Sequence, residues 1–296
     1  MYSLKNDQLK INIKHKGAEL CNIIGVKSCV EFLWQANPNI WGSHAPNLFP
    51  IIGAMKDDTY FFDDKKYNMP KHGFVRHNND FKVVSQSETK ITFKIDSNIS
   101  LKAIYPFEFE FLITYELINN VLRVHHIVNN TDTKSIFFSL GGHPAFNCPL
   151  YENENYTDYF LKFENHENSK SYLLNMKNGL ITEKTKRVIK DGNIIQLRPN
   201  LFDNDALIFK DLSSRKVTLT HKTNGDILSV MFKDFPYLGI WAKPKAPYVC
   251  IEPWIGIADL ENTNQHIIEK EGIISLADSS SFSATYSVEI DKSHLV

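Results

Sequence analysis

The chain has no excess of charge of either sign. Lys and Arg number 33 against 34 Asp and Glu in 296 residues, a formal net charge of −1. Proteins that grip nucleic acid or anionic membranes through phosphates carry a basic surplus, so neither partner is expected. Long hydrophobic runs are missing as well. No apolar stretch approaches the roughly 20 residues that span a bilayer. The opening MYSLKNDQLKINIKHKG lacks the apolar core of a secretory leader. Cysteine is scarce: Cys21, Cys29, Cys148 and Cys250 form no Cys-x-x-Cys pair, which argues against a zinc knuckle or a dithiol redox motif. Each reads as a small buried hydrophobe, and a reduced, soluble, cytoplasmic protein is the expectation. There is no glycine-rich phosphate loop, no Gly-x-Ser-x-Gly elbow, and no histidine/carboxylate cluster at metal-ligand spacing. Neither a metal nor a cofactor is expected.

Helical periodicity is also lacking beyond a turn or two, and alternation with period two takes its place. Phe107-Glu108-Phe109-Glu110-Phe111 puts aromatics on one face and carboxylates on the other, a strand signature that continues through Tyr115. Asn119-Asn120 then leads into Val121 to Val128, an antiparallel hairpin around residues that tolerate left-handed backbone. Asn224-Gly225 between Arg215–Thr220 and Ile227–Phe232 marks a second hairpin. Shorter strands are expected at Leu9 to His15, Phe81 to Val84, Lys90 to Ile95, Ser135 to Leu140, Tyr156 to Phe163 and Phe282 to Ile290. No linker or repeat divides the chain, so residues 1–296 read as one large, mostly antiparallel β-domain. The hydrophobic share of 43% suffices for a sizeable core.

Four loop-like segments crowd polar and aromatic groups together: Trp41 to Gly53, Pro70 to Arg76, Gly141 to Asn147 and Cys250 to Asp259. In the third, two glycines before His143 allow a sharp turn and close approach to a ligand, and Pro144 biases His143 toward an extended backbone. With an ordinary pKa of about 6.5, such a histidine suits proton donation; it reads equally well as a structural histidine in a tight turn. In the fourth, Glu252 lies at the end of an apolar strand, Tyr248 to Ile251. Among Ile251, Pro253 and Trp254 it would be desolvated into a better base, or else it is an edge glutamate facing water. His72 and Arg76 could converge on ligand hydroxyls or a phosphate, or form a surface pair. Trp34, Trp41, Trp241 and Trp254 could each stack on a sugar or simply fill the core. His125 and His126 are adjacent on a strand, face opposite sides and cannot act together.

Taken in order, these segments resemble the aldose 1-epimerase (galactose mutarotase-like) family, and within it the LacX-like branch found beside bacterial sugar-utilisation genes. The matching stretches are NLFPIIG, KHGFVRHNNDF, SLGGHPAFNCPL, LFDNDALIFK, YLGIWAKP and YVCIEPWIGIAD. GGHPAFN together with CIEPW is the specific pair. The resemblance implies an all-β fold, a large antiparallel β-sandwich of the galactose mutarotase-like supersandwich type, with a shallow cleft on one face. Within it, His143 matches the family's general acid and Glu252 its general base. His72 matches a histidine that hydrogen-bonds the sugar, and Asp205 a carboxylate that binds sugar hydroxyls. Arg76 and Trp241 lie in matched motifs as cleft residues. Many members carry an arginine just after the glycine of the FPIxG segment. Here Ala54 stands there, and Lys56, two residues on, could supply the charge but not the arginine fork.

The implied reaction is exchange of α and β anomers of a hexose by ring opening and closure, which needs one acid and one base and no cofactor. The expected partner is a small-molecule sugar, a hexose or hexose phosphate, bound by a monomer or homodimer. Two other readings stand beside it. One is a hexose-6-phosphate 1-epimerase, with Lys56, Lys71 and Arg76 around the phosphate. The other is a non-catalytic carbohydrate-binding or sensor protein, which Ala54 favours.

Overall fold

Alternating side chains build the first long hairpin. Phe109, Phe111, Ile113 and Tyr115 turn inward and are at most 1% exposed, while Glu110 faces out and pairs with Lys94 at 2.7 Å. Phe109–Ile118 and Val121–Asn130 run antiparallel, joined through Asn119 at a left-handed φ of 52°. The second hairpin, Lys216–His221 with Gly225–Met231, is present but not as a simple two-residue turn. Its register slips between Leu219 and Thr220, and Gly225 takes φ 75°, the positive angle that a bulged hairpin asks of glycine.

The computed structural model describes residues 1–190 and 192–296. Within these, two large antiparallel sheets form a β-sandwich. In the nine-stranded sheet the two hairpins flank Ser281–Ile290. The eight-stranded sheet runs Ile181–Lys186, Ser171–Leu174, Leu207–Phe209, Tyr237–Trp241, Tyr248–Ile255, Leu140–Gly142 and Asn47–Leu48, with Ala145–Asn147 also paired to Tyr248–Ile255. Aromatic contacts bridge the layers, as where Phe49 stacks on Phe111 with ring centroids 4.5 Å apart. No helix among the described residues is long and apolar enough to cross a membrane.

Several expectations are corrected. Tyr156–Asp158 is a 3₁₀ turn and the strand begins at Tyr159. Cys29 is exposed, whereas the other three cysteines are buried. The third and fourth segments are mainly strand rather than loop. Glu252 does not end its strand: Tyr248–Ile255 continues past it, with all eight positions buried. A strand covered on both faces shows no alternation, so its end cannot be seen in the sequence. Gly141 and Gly142 make no turn; they lie in Leu140–Gly142. They are glycine because rings lie against them: a Cβ at Gly141 would come within 2.8 Å of Trp254, and one at Gly142 within 2.7 Å of Tyr286.

What positions the site is a break in the ladder beside Tyr248–Ile255. Gly141 pairs with Trp254 and Ala145 with Cys250, but His143 and Pro144 between them pair with nothing in register. Only the Ile251 N–H reaches across, to the Pro144 carbonyl at 3.3 Å. Two residues on, Pro253 faces the same gap and has no N–H to leave unpaired.

Gly239 also lies flat under the Trp254 indole, where a Cβ would come within 2.4 Å of the ring. Gly239→Ala is expected to lower the free energy of unfolding by about 1–3 kcal/mol, the usual cost of overpacking, and to shift tryptophan fluorescence. Wild-type stability in a denaturant titration would contradict the packing described.

Candidate active site

The ladder gap turns His143 toward the strand it leaves. Its N–H is held by the Pro46 carbonyl at 3.0 Å, and its Nε2 stands 3.2 Å from Glu252 Oε2. Glu252 shares a sheet face with Cys250 and Trp254, as alternate residues do. Both side chains line a cleft of about 210 Å³, over a floor to which the apolar cluster of Ile52, Ile208, Trp254 and Ala258 contributes. Despite the close approach, Glu252 Oε2 makes no hydrogen bond, and neither does His143 Nδ1.

Burial governs the charge states of the pair. Desolvation, reinforced by the nearby charge of Asp205, pushes the Glu252 carboxyl well above the ordinary carboxylate range, while Lys71 and Arg76 pull the other way. Burial, with Arg76 adding to it, holds the His143 imidazole down at about 3. In the resting cleft burial therefore disfavours the charged form of each group. The two groups stand in contact, so their titrations are coupled.

The surrounding groups divide into donors, cations and rings. His72 takes φ 65°, and its Nδ1 accepts the Gly53 N–H at 3.1 Å. That bond leaves the ring proton on Nε2, 5.7 Å between ring centroids from His143. Burial, followed by the His143 and Lys71 charges, keeps His72 well below the usual histidine range, so it is a neutral donor. Asp205 lines the cleft at φ 67°, and its carboxylate accepts the Ala206 N–H at 2.8 Å. Arg76 lines the cleft too; it reaches Ser43 Oγ at 3.3 Å and leaves its buried Nε without a partner. Trp41 stacks on His143 with centroids 4.9 Å apart, and Trp241 meets it edge-on at 5.8 Å.

Of the residues singled out in the sequence, the structure gathers His143, Glu252, His72, Arg76, Asp205 and Trp241 around one cleft. Lys56 is not brought there: its ammonium turns to the Glu261 carbonyl at 3.2 Å. The cation near Ala54 is Lys71 instead. A Cβ on Gly179 would lie 3.5 Å from Ala54 Cβ and 4.0 Å from Lys71 Nζ. The turn through Gly179 thus covers Ala54, and the lysine of the Lys71-His72 pair supplies charge beside it. Trp34 is buried and donates to the Trp41 carbonyl at 2.9 Å.

The sequence showed no metal-like spacing, yet His143, Cys250 and Glu252 bring donor atoms within 4.8 Å of one another. Cys250 and Glu252 are alternate residues of one strand and His143 arrives across the gap, so linear spacing could not reveal the set. Metal ligation needs a thiolate, and burial pushes the Cys250 thiol well above its ordinary range. These residues suit proton transfer better than ligation. Sequence reasoning also passed over Glu19, a buried carboxylate beneath the Trp41 segment; nothing in KGAEL distinguishes it from a surface glutamate.

Comparison with known proteins agrees with the geometry. The profile described as aldose 1-epimerase matches residues 1–271. The chain is 35% identical over 270 residues to the chromosomal protein LacX of Lactococcus lactis subsp. lactis, covering 88% of this chain and 90% of that one. A galactose mutarotase related enzyme from Lactobacillus acidophilus superposes with TM-score 0.92 at 35% identity, covering 98% of this chain and 97% of that one. A galactose mutarotase-like protein from Lactobacillus casei gives TM-score 0.91 at 31% identity over 98% and 100% of the two chains.

The Gly53 bond to His72 sets an expectation for nitrogen NMR. His72 should stay neutral with its proton on Nε2 across about pH 5 to 8, where a free histidine would titrate. A protonated His72 near pH 6 would contradict the donor role.

Proposed function

The chain belongs to the aldose 1-epimerase family, and from that premise we propose that it is a mutarotase. In this reading it interconverts the α and β anomers of a hexose. The observation that carries it is the contact of His143 Nε2 with Glu252 Oε2, 3.2 Å apart inside a small cleft.

Ring opening breaks the O1–H and C1–O5 bonds and forms C1=O1 and O5–H. Glu252 takes the O1 proton as general base and His143 delivers one to O5 as general acid; the aldehyde rotates about C1–C2 and the steps reverse. The pKa directions suit these roles. A carboxylate whose pKa is raised binds a proton strongly once ionised, and an imidazolium whose pKa is lowered releases one readily. The reactive form, Glu252 ionised and His143 protonated, is disfavoured in the bare cleft. Lys71 and Arg76 work toward ionising Glu252, and sugar hydroxyls would hydrogen-bond the ionised carboxylate. The pair must hold one proton, so activity falls when it gains a second at low pH or loses the first at high pH, giving a bell-shaped profile.

The remaining groups hold the sugar. Neutral His72 donates from Nε2, Asp205 accepts from ring hydroxyls, and Trp41 and Trp241 offer apolar faces to the sugar C–H groups. Lys71, in place of Lys56, is the cation on the side where Ala54 stands. The presence of both Lys71 and Arg76 at the cleft favours a second substrate arm, a hexose 6-phosphate, within the same mechanism.

The decisive assay follows mutarotation of glucose, galactose and their 6-phosphates by NMR exchange or polarimetry. Glu252→Gln and His143→Asn should each slow exchange by about 10²–10⁴-fold with folding intact by circular dichroism. Wild-type rates in both variants would end the assignment. A larger kcat/KM for the phosphates, lost in Lys71→Ala, would place the 6-phosphate first; equal values would favour free sugars.

A further inference from the structure

Glu19 is the most heavily engaged buried carboxylate outside the cleft. Its side chain is 2% exposed and pairs with Lys14 at 2.5 Å. Its Oε1 accepts the His44 N–H at 2.7 Å and the Ala45 N–H at 3.2 Å, and the His44 ring lies 3.6 Å away. The turn that carries it is itself clamped: Asn47 Nδ2 donates to the Gly17 and Ala18 carbonyls, each at 3.1 Å, and the Tyr115 hydroxyl donates to Ala18 at 2.8 Å. Glu19 is thus a fixed point, and it grips the middle of the segment from Trp41 to Pro46.

That short segment supplies three of the contacts around the reactive histidine. Trp41 stacks on the imidazole at 4.9 Å. The Pro46 carbonyl holds the His143 N–H at 3.0 Å. Ser43 receives Arg76 at 3.3 Å, the cation whose charge reaches both Glu252 and His143. Resting on the mutarotase reading above, we propose that Glu19 is a positioning residue for the His143–Glu252 pair, acting through the 41–46 segment. Its charge is available at every physiological pH. Burial alone would raise it, but His44 and Lys14 overcome burial and hold it at about 2. Burial alone would lower His44, but Cys21 and Glu19 overcome that and hold it at about 9.

A double-mutant cycle on sugar exchange tests the route. Glu19→Ala should cut kcat/KM by about 10²-fold, the scale set by a misplacement of about 1 Å. In a Trp41→Ala background, where one of the three contacts is already gone, the same change should cost clearly less than in the wild type, a coupling beyond the roughly twofold scatter of independent sites. Losses that multiply would overturn the proposal. A readout free of turnover is the His143 imidazole resonance, which lies in the ring current of Trp41. Glu19→Ala should move it, and an unmoved resonance overturns the proposal even if the wild type proves inactive on every sugar, a result that would sink the mutarotase reading separately. Should the alanine variant fail to fold, Glu19→Gln keeps an acceptor for the two N–H groups and removes only the charge. Because the two N–H contacts are what hold the segment, Glu19→Gln should recover most of kcat/KM and leave the His143 resonance in place, and a loss as large as that expected of the alanine variant counts against the proposal.

Discussion

An interrupted hydrogen-bond ladder beside Tyr248–Ile255 is what lets an imidazole reach a buried carboxylate. Had Leu140–Gly142 and Ala145–Asn147 been one continuous strand, residue 143 would pair in register and direct its side chain along the sheet normal. The gap at His143-Pro144, opposite Pro253, removes the backbone groups that would demand pairing there. The His143 side chain can then cross to Glu252, at 3.2 Å. The remaining features of the site serve this crossing. Glycines at 141 and 239 admit the Trp254 indole, Gly239 being the residue paired with Glu252, and the Pro46 carbonyl fixes the histidine backbone.

Burial sets the electrostatics. A carboxyl and an imidazole taken out of water each favour the uncharged form, which is why Glu252 is pushed up and His143 down. Moving the proton from Glu252 to His143 runs against both shifts, so the ionised pair that the proposed reaction needs is reached only with help from the groups around it. Two cations at the rim, Lys71 and Arg76, partly oppose the desolvation of Glu252.

Much of the architecture was legible in the sequence because it rests on local signals. The alternation around Phe109 and the turn chemistry at Asn119 and Gly225 are properties of short stretches, and the hairpins appeared where those signals stood. The His143–Glu252 pair was legible only through the joint resemblance of GGHPAFN and CIEPW, since chemistry alone left each residue open. What was misread depends on contacts distant in sequence. Gly141 and Gly142 looked like a turn, yet they exist to accommodate Trp254 and Tyr286. Lys56 looked close enough to substitute at Ala54, but it turns to Glu261, and Lys71 comes near that place through the fold. Glu19 carried no signal, because its burial is created by segments up to Ala45 and by Lys14 folding over it.

Burial that disfavours the ionised Glu252 carboxyl predicts that the resting pair holds its proton there. Carbon-13 NMR of the carboxyl carbons in protein labelled at glutamate, with the Glu252 signal assigned by its loss in Glu252→Gln, reads that state directly. A protonated carboxyl shift for Glu252 at neutral pH, in the absence of sugar, is the expected result. An ionised shift there, titrating like the surface glutamates, would contradict the picture of a desolvated acid/base pair.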